Sequence, residues 1–376
     1  MNNLLKGILK INVILFILCF YNGAIAQNLN EEYSIYGSVK GISNGTAVLG
    51  LVLPYKTIVF NDSSKIVDGK FKFNGHLDQP IWVVIGAHSD SDKAGWLTSQ
   101  FMLDAGDIEL SVFGGDEDLV TGSRQNALCQ SLEQKYQHVF DSISKAEKNI
   151  SDGKMENDTS KVILARQDEQ KALQDIKKIV IDNLNGENKY VAAYWAYQFF
   201  KNSTWREREE ILNNAPEELL KSVYLKPMNE DTKRAKLVDV GNIAPDFELF
   251  DLDGKRYTNV DFKGKYYILE FSASWCHWCK VELPYLKELH QSAKDKNFEL
   301  ITVNVDKKKE DWRDDVLKED LPWKVLSDMK AFGGIAKSYN VRGIPQMFLI
   351  NPEGKIIAKG LRGKKVITTV NNFLLD

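Results

Sequence analysis

The sequence predicts a multidomain protein with an N-terminal all-β sandwich or barrel, a central α-helical region and a C-terminal α/β domain. The chain has 376 residues, whereas a typical domain has about 150. Segments of alternating hydrophobicity give way to apolar residues at helical spacing, and strand and helix patterns then alternate to the C-terminus. The predicted divisions are a signal peptide at 1–26, a β-rich domain at 27–120, a helical region at 121–240 and the α/β domain at 241–376.

The composition is that of a globular protein, with 43% hydrophobic residues, 27% charged residues and a formal net charge of −3. Proteins that bind nucleic acids or anionic membranes usually carry an excess of basic residues. This balance gives no sign of such an excess, and we expect no nucleic-acid partner.

The N-terminus has the pattern of an export signal. A basic region with Lys6 and Lys10 precedes an apolar run at 11–21, and Ala24-Ile25-Ala26 forms a small-residue cleavage motif. The run is shorter than the about 20 residues that span a bilayer, so cleavage before Gln27 is favoured over an uncleaved anchor or a lipid attachment. We therefore expect an exported protein that is periplasmic or associated with the cell envelope.

The N-terminal third alternates apolar and polar residues, as strands with one buried face do. Asp68-Gly69 stands between two such segments and is a hairpin-turn signal. Together the segments favour a small sandwich or open barrel. The predicted strands are 34–39, 46–51, 70–73, 81–87 and 108–113.

From Ser123 the apolar period becomes helical. Ser123 is placed as an N-cap, and the apolar stripe continues to Ile143. A polar break at 151–159 precedes a second helix that ends near Asn185-Gly186. The aromatic-rich segment 190–200 predicts a third, buried helix, and we expect this region to pack on one or both of its neighbours.

Beyond residue 240 strands and helices alternate. A short apolar run at 266–271 suits a strand buried on both faces. A helix should run from Cys276 to about Lys294, with a second buried strand at 298–305. Further predicted elements are helices at 312–317, 331–339 and 364–375, and a hairpin formed by 346–350 and 355–358.

Of the four cysteines, Cys19 would leave with the signal. Cys129 lies on the apolar stripe of the first helix and is interpreted as a core residue. Cys276 and Cys279 form a close pair, and an exported protein of this size can fold without disulfides. That pair therefore points to chemistry rather than to scaffold.

The pair stands in Trp275-Cys276-His277-Trp278-Cys279, between a buried strand and a helix. Free N–H groups and the dipole at a helix N-terminus favour a thiolate, so Cys276 is the predicted nucleophile. Cys279, one turn on and more buried, is the predicted resolving thiol.

A structural disulfide and half of a zinc site are the alternatives for this pair. A disulfide that closes so small a loop adds little stability. Zinc usually needs a second Cys or His pair, and the other histidines stand singly, so we expect no metal. These histidines are His76, His88, His138 and His290.

Glu270 stands six residues before Cys276, inside an otherwise apolar strand. Burial raises the pKa of a carboxyl group. Glu270 is therefore a predicted catalytic residue that relays protons to and from Cys279. The alternative is that the end of the strand reaches solvent.

Two prolines have positional meaning. Pro345 opens a predicted strand, a place where proline is tolerated, and by itself it fits an ordinary trans peptide bond. Pro284 lies inside the helix that starts at Cys276, where it would kink that helix or end it early.

Several short motifs occur together in the last third of the chain. They are Ala244-Pro245-Asp246-Phe247, Asp253-Gly254-Lys255, Phe262-Lys263-Gly264-Lys265, Glu270-Phe271-Ser272-Ala273-Ser274-Trp275-Cys276, Glu282-Leu283-Pro284 and Gly343-Ile344-Pro345. With these motifs, residues 241–376 resemble the TlpA/ResA branch of the thioredoxin superfamily, which implies a thioredoxin-like fold.

The resemblance also implies roles for single residues. It implies that Pro345 is cis and lies against the dithiol, that the Ile344 backbone is free to pair with an extended substrate, and that Glu270 fills the buried acid position. We count Trp275, His277 and Trp278 with Ile344 and Pro345 as predicted substrate-binding residues.

The β-rich region resembles an uncharacterised module found ahead of such domains in exported bacterial proteins. Residues 70–75, 101–107 and 120–123 carry this weaker match, which implies no activity.

The sequence departs from the family at Trp278, where proline usually precedes the second cysteine. The two residues between the cysteines tune the reduction potential, so no family value applies here. His277, when protonated, would favour the Cys276 thiolate. It equally fits a solvated turn residue.

The predicted function is that of a protein-disulfide oxidoreductase whose only redox group is the Cys276–Cys279 disulfide, without a bound cofactor. The resemblance favours a reductase with a membrane thiol donor and with clients among exported apocytochromes, as in cytochrome c maturation, or other oxidised proteins. The direction of electron flow, the client and the oligomeric state stay open.

Two other functions are weighed against this one. A thiol peroxidase shares the motif Ala244-Pro245-Asp246-Phe247, but Ala273 stands where peroxidases have Thr or Ser. A redox-sensing binding protein would use the same dithiol without turnover.

Overall fold

The computed structural model describes residues 31–54, 58–90, 96–114 and 118–375. The predicted export signal, with Cys19, lies outside these residues. The chain divides into two compact units, of which the first ends at Asn229 and the second begins at Glu230. Within the described ranges, no helix has both the length and the apolarity needed to cross a bilayer.

The described part of the first unit begins with two four-stranded sheets. The sheet of order β4-β1-β7-β8 is mixed, and the sheet of order β3-β2-β5-β6 is antiparallel. Asp68 and Gly69 both have positive φ angles, of 48° and 73°, as a tight type I′ turn requires. The predicted hairpin turn is therefore present, and it leads from one sheet to the other. The strands are β1 Glu31–Val39, β2 Gly45–Leu51, β3 Val59–Ile66, β4 Lys70–Leu77, β5 Ile81–Ser89, β6 Leu97–Leu103, β7 Gly106–Val112 and β8 Leu119–Thr121.

Helices follow the strands. Ser123 caps the first of them, because its side chain accepts the N–H of Asn126 at 3.0 Å. The continuous apolar stripe suggested one helix, but the chain leaves helical geometry at Tyr136, so there are two. The helices are α1 Arg124–Lys135, α2 Gln137–Met155, α3 Thr159–Asn183, α4 Lys189–Phe200, α5 Trp205–Asn213, α6 Glu217–Leu220 and α7 Leu225–Leu237.

The strands and helices of this unit share one core. The Trp82 ring on β5 stacks on Tyr194 of α4 with centroids 4.7 Å apart. The Tyr224 hydroxyl accepts the N–H of Trp82 at 2.8 Å and donates to the carbonyl of Val52 at 3.2 Å. Cys129 is a free, buried cysteine in the same core, as predicted.

The second unit is built on a mixed five-stranded sheet of order β13-β12-β11-β14-β15. β11, β12 and β13 are parallel, while β14 and β15 run antiparallel. The elements are β9 Glu248–Phe250, β10 Arg256–Thr258, a 3₁₀ turn Asn259–Phe262, β11 Tyr266–Ser272, α8 His277–Ala293, β12 Phe298–Asn304, α9 Lys309–Glu319, β13 Lys324–Leu326, α10 Gly334–Ser338, β14 Gln346–Ile350, β15 Ile356–Lys359 and α11 Lys364–Leu375.

Both faces of β11 are buried, which explains its continuous apolar run. Leu269 and Phe271 lie in one apolar cluster with α10, and Ile268 lies in another with α8, α9 and α11. The predicted fold class is confirmed: a β-rich region, a helical region and a thioredoxin-like α/β domain follow one another along the chain.

Two local predictions of the second unit can be compared with the structure. Pro284 lies inside α8 without ending it. The helix predicted from residue 331 begins only at Gly334, because Met329 and Ala331 have left-handed backbone, with φ angles of 55° and 50°. Apolar spacing alone gave no sign of these two conformations.

Candidate active site

Cys276 and Cys279 are joined in a disulfide at the point where β11 leads into α8. Cys276 is the N-cap of α8, and its sulfur accepts the N–H of Cys279 at 3.1 Å. Only 5% of Cys276 and 1% of Cys279 is exposed. In the reduced protein, this N–H and the helix dipole favour a thiolate at Cys276, with Cys279 one turn deeper.

A buried carboxylate holds the loop that presents the dithiol. Asp306 accepts the N–H of Ser274 at 3.0 Å and its hydroxyl at 2.9 Å. The side-chain amide of Asn304 donates to the same carboxylate at 2.6 Å. Sequence reasoning missed Asp306. A signal was present, because Asn304 and Asp306 are polar residues at the end of an apolar strand.

Glu270 is buried beneath the dithiol, with 1% of its surface exposed. Its carboxylate accepts the Thr302 hydroxyl at 2.7 Å, and the Thr302 oxygen accepts the indole N–H of Trp323 at 3.0 Å. Burial raises the pKa of Glu270 to about 7, although the hydrogen bond from Thr302 opposes part of that rise. The strand end therefore does not reach solvent at Glu270.

A small cavity brings Glu270 and Cys279 together. Both residues line it, and it has room for about one water molecule. Lys280 and Asp315, which form an ion pair, also line it. The buried carboxyl group and the resolving cysteine therefore face the same small space.

Another buried carboxylate, Glu282, lies one turn after Cys279. Sequence reasoning did not identify it as a site residue either. It is 8% exposed and accepts the N–H of Gly363 at 2.7 Å. Its charge raises the pKa of Glu270, whereas the charge of Arg362 lowers it. The pKa of Glu270 therefore depends on Glu282 in α8 and on Arg362 in the loop before α11.

The peptide bond between Ile344 and Pro345 is cis. The Arg362 guanidinium donates to the carbonyl of Pro345. Ile344 packs against the apolar cluster that contains Cys276 and Cys279. Over the described ranges, neither its N–H nor its C=O takes part in a backbone–backbone hydrogen bond.

Exposed aromatic side chains surround the dithiol. Trp275 and Trp278 are 63% and 68% exposed. His277 is exposed as well and packs edge-on against Trp278, with centroids 5.3 Å apart. Phe332, which the sequence reasoning did not single out, lies 6.5 Å from Trp275 between ring centroids. These rings form an exposed aromatic rim beside the Cys276–Cys279 disulfide.

No group of three His, Cys, Asp or Glu side chains in the described ranges is placed to hold a metal ion.

Comparison with known proteins gives independent information on both units. The sequence model of the AhpC/TSA family matches residues 240–359. A model described as a domain of unknown function, DUF4369, matches residues 33–129.

Curated relatives match the second unit. The chain is 35% identical to thiol-disulfide oxidoreductase ResA of Bacillus thuringiensis subsp. konkukian over 143 residues, which are 38% of this chain and 80% of that protein. It is 31% identical to ResA of Bacillus subtilis over 137 residues, which are 36% of this chain and 75% of that protein.

A solved structure also matches this part of the chain. It is the thioredoxin domain of a thiol-disulfide oxidoreductase from Bacteroides vulgatus, with 35% identity and a TM-score of 0.35 over 36% of this chain and 98% of that chain. By its similarity to the curated relatives and its Cys276–Cys279 disulfide, the chain belongs to the ResA family of thiol-disulfide oxidoreductases.

Proposed function

We propose that the protein works outside the cytoplasm and reduces disulfide bonds in other proteins, with Cys276 as nucleophile and Cys279 as resolving thiol. The observation that carries this proposal is the position of Cys276 as the cap of α8, where its sulfur accepts the N–H of Cys279. A thiolate is stabilised there, and the thiolate is the form that attacks disulfides.

The reaction moves two electrons from the dithiol to the substrate. The Cys276 thiolate attacks one sulfur of the substrate disulfide, the substrate S–S bond breaks, and the departing substrate sulfur takes up a proton. Cys279 then loses its proton and attacks Cys276, which forms the Cys276–Cys279 disulfide and releases the second substrate sulfur, which takes up a proton in turn. The products are the disulfide form of the enzyme and a substrate with two thiols.

Glu270 is the proposed acid and base of the second step. A group with a pKa near 7 exchanges protons well at neutral pH, and burial raises the pKa of Glu270 to about 7. The cavity that Glu270 shares with Cys279 provides the path. The carboxylate takes the proton of Cys279 when that thiol attacks.

The substrate binds as an extended segment in this proposal. Its backbone pairs with the N–H and C=O of Ile344, next to the cis Pro345. Its side chains contact Trp275 and Trp278, and His277 lies at the same rim. Backbone pairing of this kind accepts many sequences, as a general reductase requires.

The cellular setting rests on the predicted export signal and on the family resemblance. We propose a location in the periplasm or at the cell envelope, a membrane thiol as electron donor, and exported clients with oxidised cysteine pairs, apocytochromes c among them.

Trapping of the mixed disulfide tests the proposed function. Cys279→Ala in the full-length protein should accumulate partners attached to Cys276, which are separated on a non-reducing gel and identified by mass spectrometry. Cys276→Ala should trap none of them, and Cys129→Ala should behave like the wild type. If Cys276→Ala traps the same partners as Cys279→Ala, the assignment of nucleophile and resolving thiol is wrong.

A further inference from the structure

We propose that Asp231, on α7 and ahead of the residues 240–359 that the AhpC/TSA model matches, is a positioning residue for substrate binding. It holds Arg342 and thereby fixes the backbone of Ile344, with which the substrate segment pairs. This inference rests on the proposed function and adds to it a residue that acts through the substrate-binding loop.

The contact between the two residues is two-pronged, and its carboxylate is buried. Only 5% of the Asp231 side chain is exposed, and Arg342 Nε donates to its Oδ1 at 3.1 Å. Arg342 Nη2 contacts the second oxygen, Oδ2. Arg234 adds a more distant contact from the same helix, with its Nη2 3.6 Å from Oδ1. A two-pronged pair of this kind fixes direction as well as distance.

Arg342 lies two residues before Ile344, and the intervening Gly343 has open space around its Cα. Glycine gives the backbone freedom, so the loop needs support on both sides of Ile344. Arg362 supports the far side, because it donates to the carbonyl of Pro345. The Asp231–Arg342 pair supports the near side.

The segment that carries Asp231 is itself anchored to the sheet. Asp239 forms an ion pair with Lys359 of β15 at 2.8 Å. The N–H of Gly241 donates to the carbonyl of Ile356, also at 2.8 Å. Asp231 therefore contacts Arg342 from a segment that is fixed to the sheet.

These contacts predict an effect on peptide substrates and not on the chemistry of the thiols. Displacement of a binding group by about 1 Å can cost up to about 100-fold in rate. A loosened Ile344 backbone should mainly weaken binding, and a small disulfide that needs no backbone pairing should react as before.

The experiment uses the full-length, reduced protein in single-turnover reactions with a cyclic peptide disulfide and with the small disulfide dithiobis-nitrobenzoate. Asp231→Asn removes the carboxylate charge. Arg342→Gln removes the other partner of the pair. Because Arg342 is exposed, this variant should fold even if Asp231→Asn does not. Lys233→Gln is the control, because it changes the charge of an exposed side chain on the same helix.

Asp231→Asn and Arg342→Gln should each raise the half-saturating peptide concentration about tenfold with little change in the maximal single-turnover rate, and the double variant should be no worse than either single one. The rate with the small disulfide and the reduction potential should equal those of Lys233→Gln. Arg342→Lys, which keeps the charge but loses the fork, should restore only part of the affinity.

Half-saturating peptide concentrations that match the Lys233→Gln control would overturn the inference, as would equal losses with both substrates. If the wild-type protein reduces neither substrate, the proposed function itself fails, and this inference fails with it. If the wild type reduces both and the Asp231 and Arg342 variants behave like it, only the positioning role is wrong.

Discussion

Glu270 and Thr302 stand directly opposite each other on the parallel strands β11 and β12, and the Thr302 hydroxyl donates to the Glu270 carboxylate at 2.7 Å. The indole of Trp323 donates to the Thr302 oxygen and so directs the hydroxyl hydrogen toward Glu270. The other carboxylate oxygen, Oε1, has no hydrogen-bond partner within the described ranges. The Thr302 hydroxyl therefore holds one oxygen of Glu270 in place, and a hydrogen bond from Ser272 also lowers the pKa of this carboxyl group.

The resolving step should depend on Glu270. Glu270→Gln keeps the shape of the side chain but cannot take the proton of Cys279, so this step should slow about 100-fold at pH 7. The release of thionitrobenzoate in two phases separates the attack by Cys276 from the attack by Cys279. Glu288→Gln, an exposed change on α8, is the control, and equal slowing of both phases would contradict the role.

The stability of the oxidised protein should fall as Glu270 ionises. The folded-state pKa is about 7 and the ordinary value is 4.5, so the folded state binds this proton more tightly than the unfolded state does. The contribution is complete below pH 4.5, is lost as the pH rises to about 7, and amounts to about 3 kcal/mol at most.

Denaturant unfolding of the wild type and of Glu270→Gln, at a series of pH values, measures this contribution. Above pH 7 the variant should be the more stable protein, and the difference in unfolding free energy between the two should change mainly between pH 4.5 and about 7. A difference that does not vary with pH would show that Glu270 titrates normally in the fold.

Removal of Asp306 should loosen the active-site loop. Asp306→Ala leaves the N–H of Ser274 and the amide of Asn304 without their acceptor, which should cost about 2 to 4 kcal/mol in stability. The attack by Cys276 should slow as well. Asp314→Ala, on the exposed side of α9, should change neither quantity, and an unaffected loop in Asp306→Ala would contradict this account.

Phe332 should contribute to the binding of peptides with apolar residues beside the disulfide. Phe332→Ser removes a half-buried ring that lies next to Trp275. We expect a loss of about 1 kcal/mol, or about fivefold in KM, for such a peptide. A peptide with polar flanks should be unaffected. Val260→Ser, at a residue that is 76% exposed, is the control, and an equal effect on both peptides would contradict the assignment.

Cys129 should resist thiol reagents in the folded protein. It is buried, and burial and the nearby Glu133 carboxylate raise its pKa well above the ordinary value. Iodoacetamide should therefore modify it only after unfolding, as measured by mass spectrometry of the oxidised protein. Modification at comparable rates in the native and unfolded states would show that Cys129 is accessible.

Local patterns account for what the sequence predicted correctly. The apolar run of β11, the cap of α1 at Ser123 and the turn at Asp68-Gly69 each involve residues a few positions apart. The position of Cys276 at a helix start follows in the same way from a strand pattern that is followed by a helix pattern. The cis bond at Pro345 came from the family resemblance, because nothing local distinguishes it from a trans proline.

The residues that were missed act across long separations. Asp306 lies 32 positions from Ser274, and Asp231 lies 111 positions from Arg342. In the first unit, Tyr224 bonds Trp82 across 142 positions. Only the fold brings such partners together, so neither period nor propensity could have indicated which residues pair.

We expect the start of α8 to stabilise a thiolate at Cys276. The rate at which iodoacetamide alkylates the reduced protein, followed as a function of pH and assigned to each cysteine by mass spectrometry, tests it most directly. We predict that Cys276 reacts first, with a pKa at least about one unit below the 8.5 of a free cysteine. A Cys276 pKa at or above that of a free cysteine, or faster reaction at Cys279, would contradict the claim.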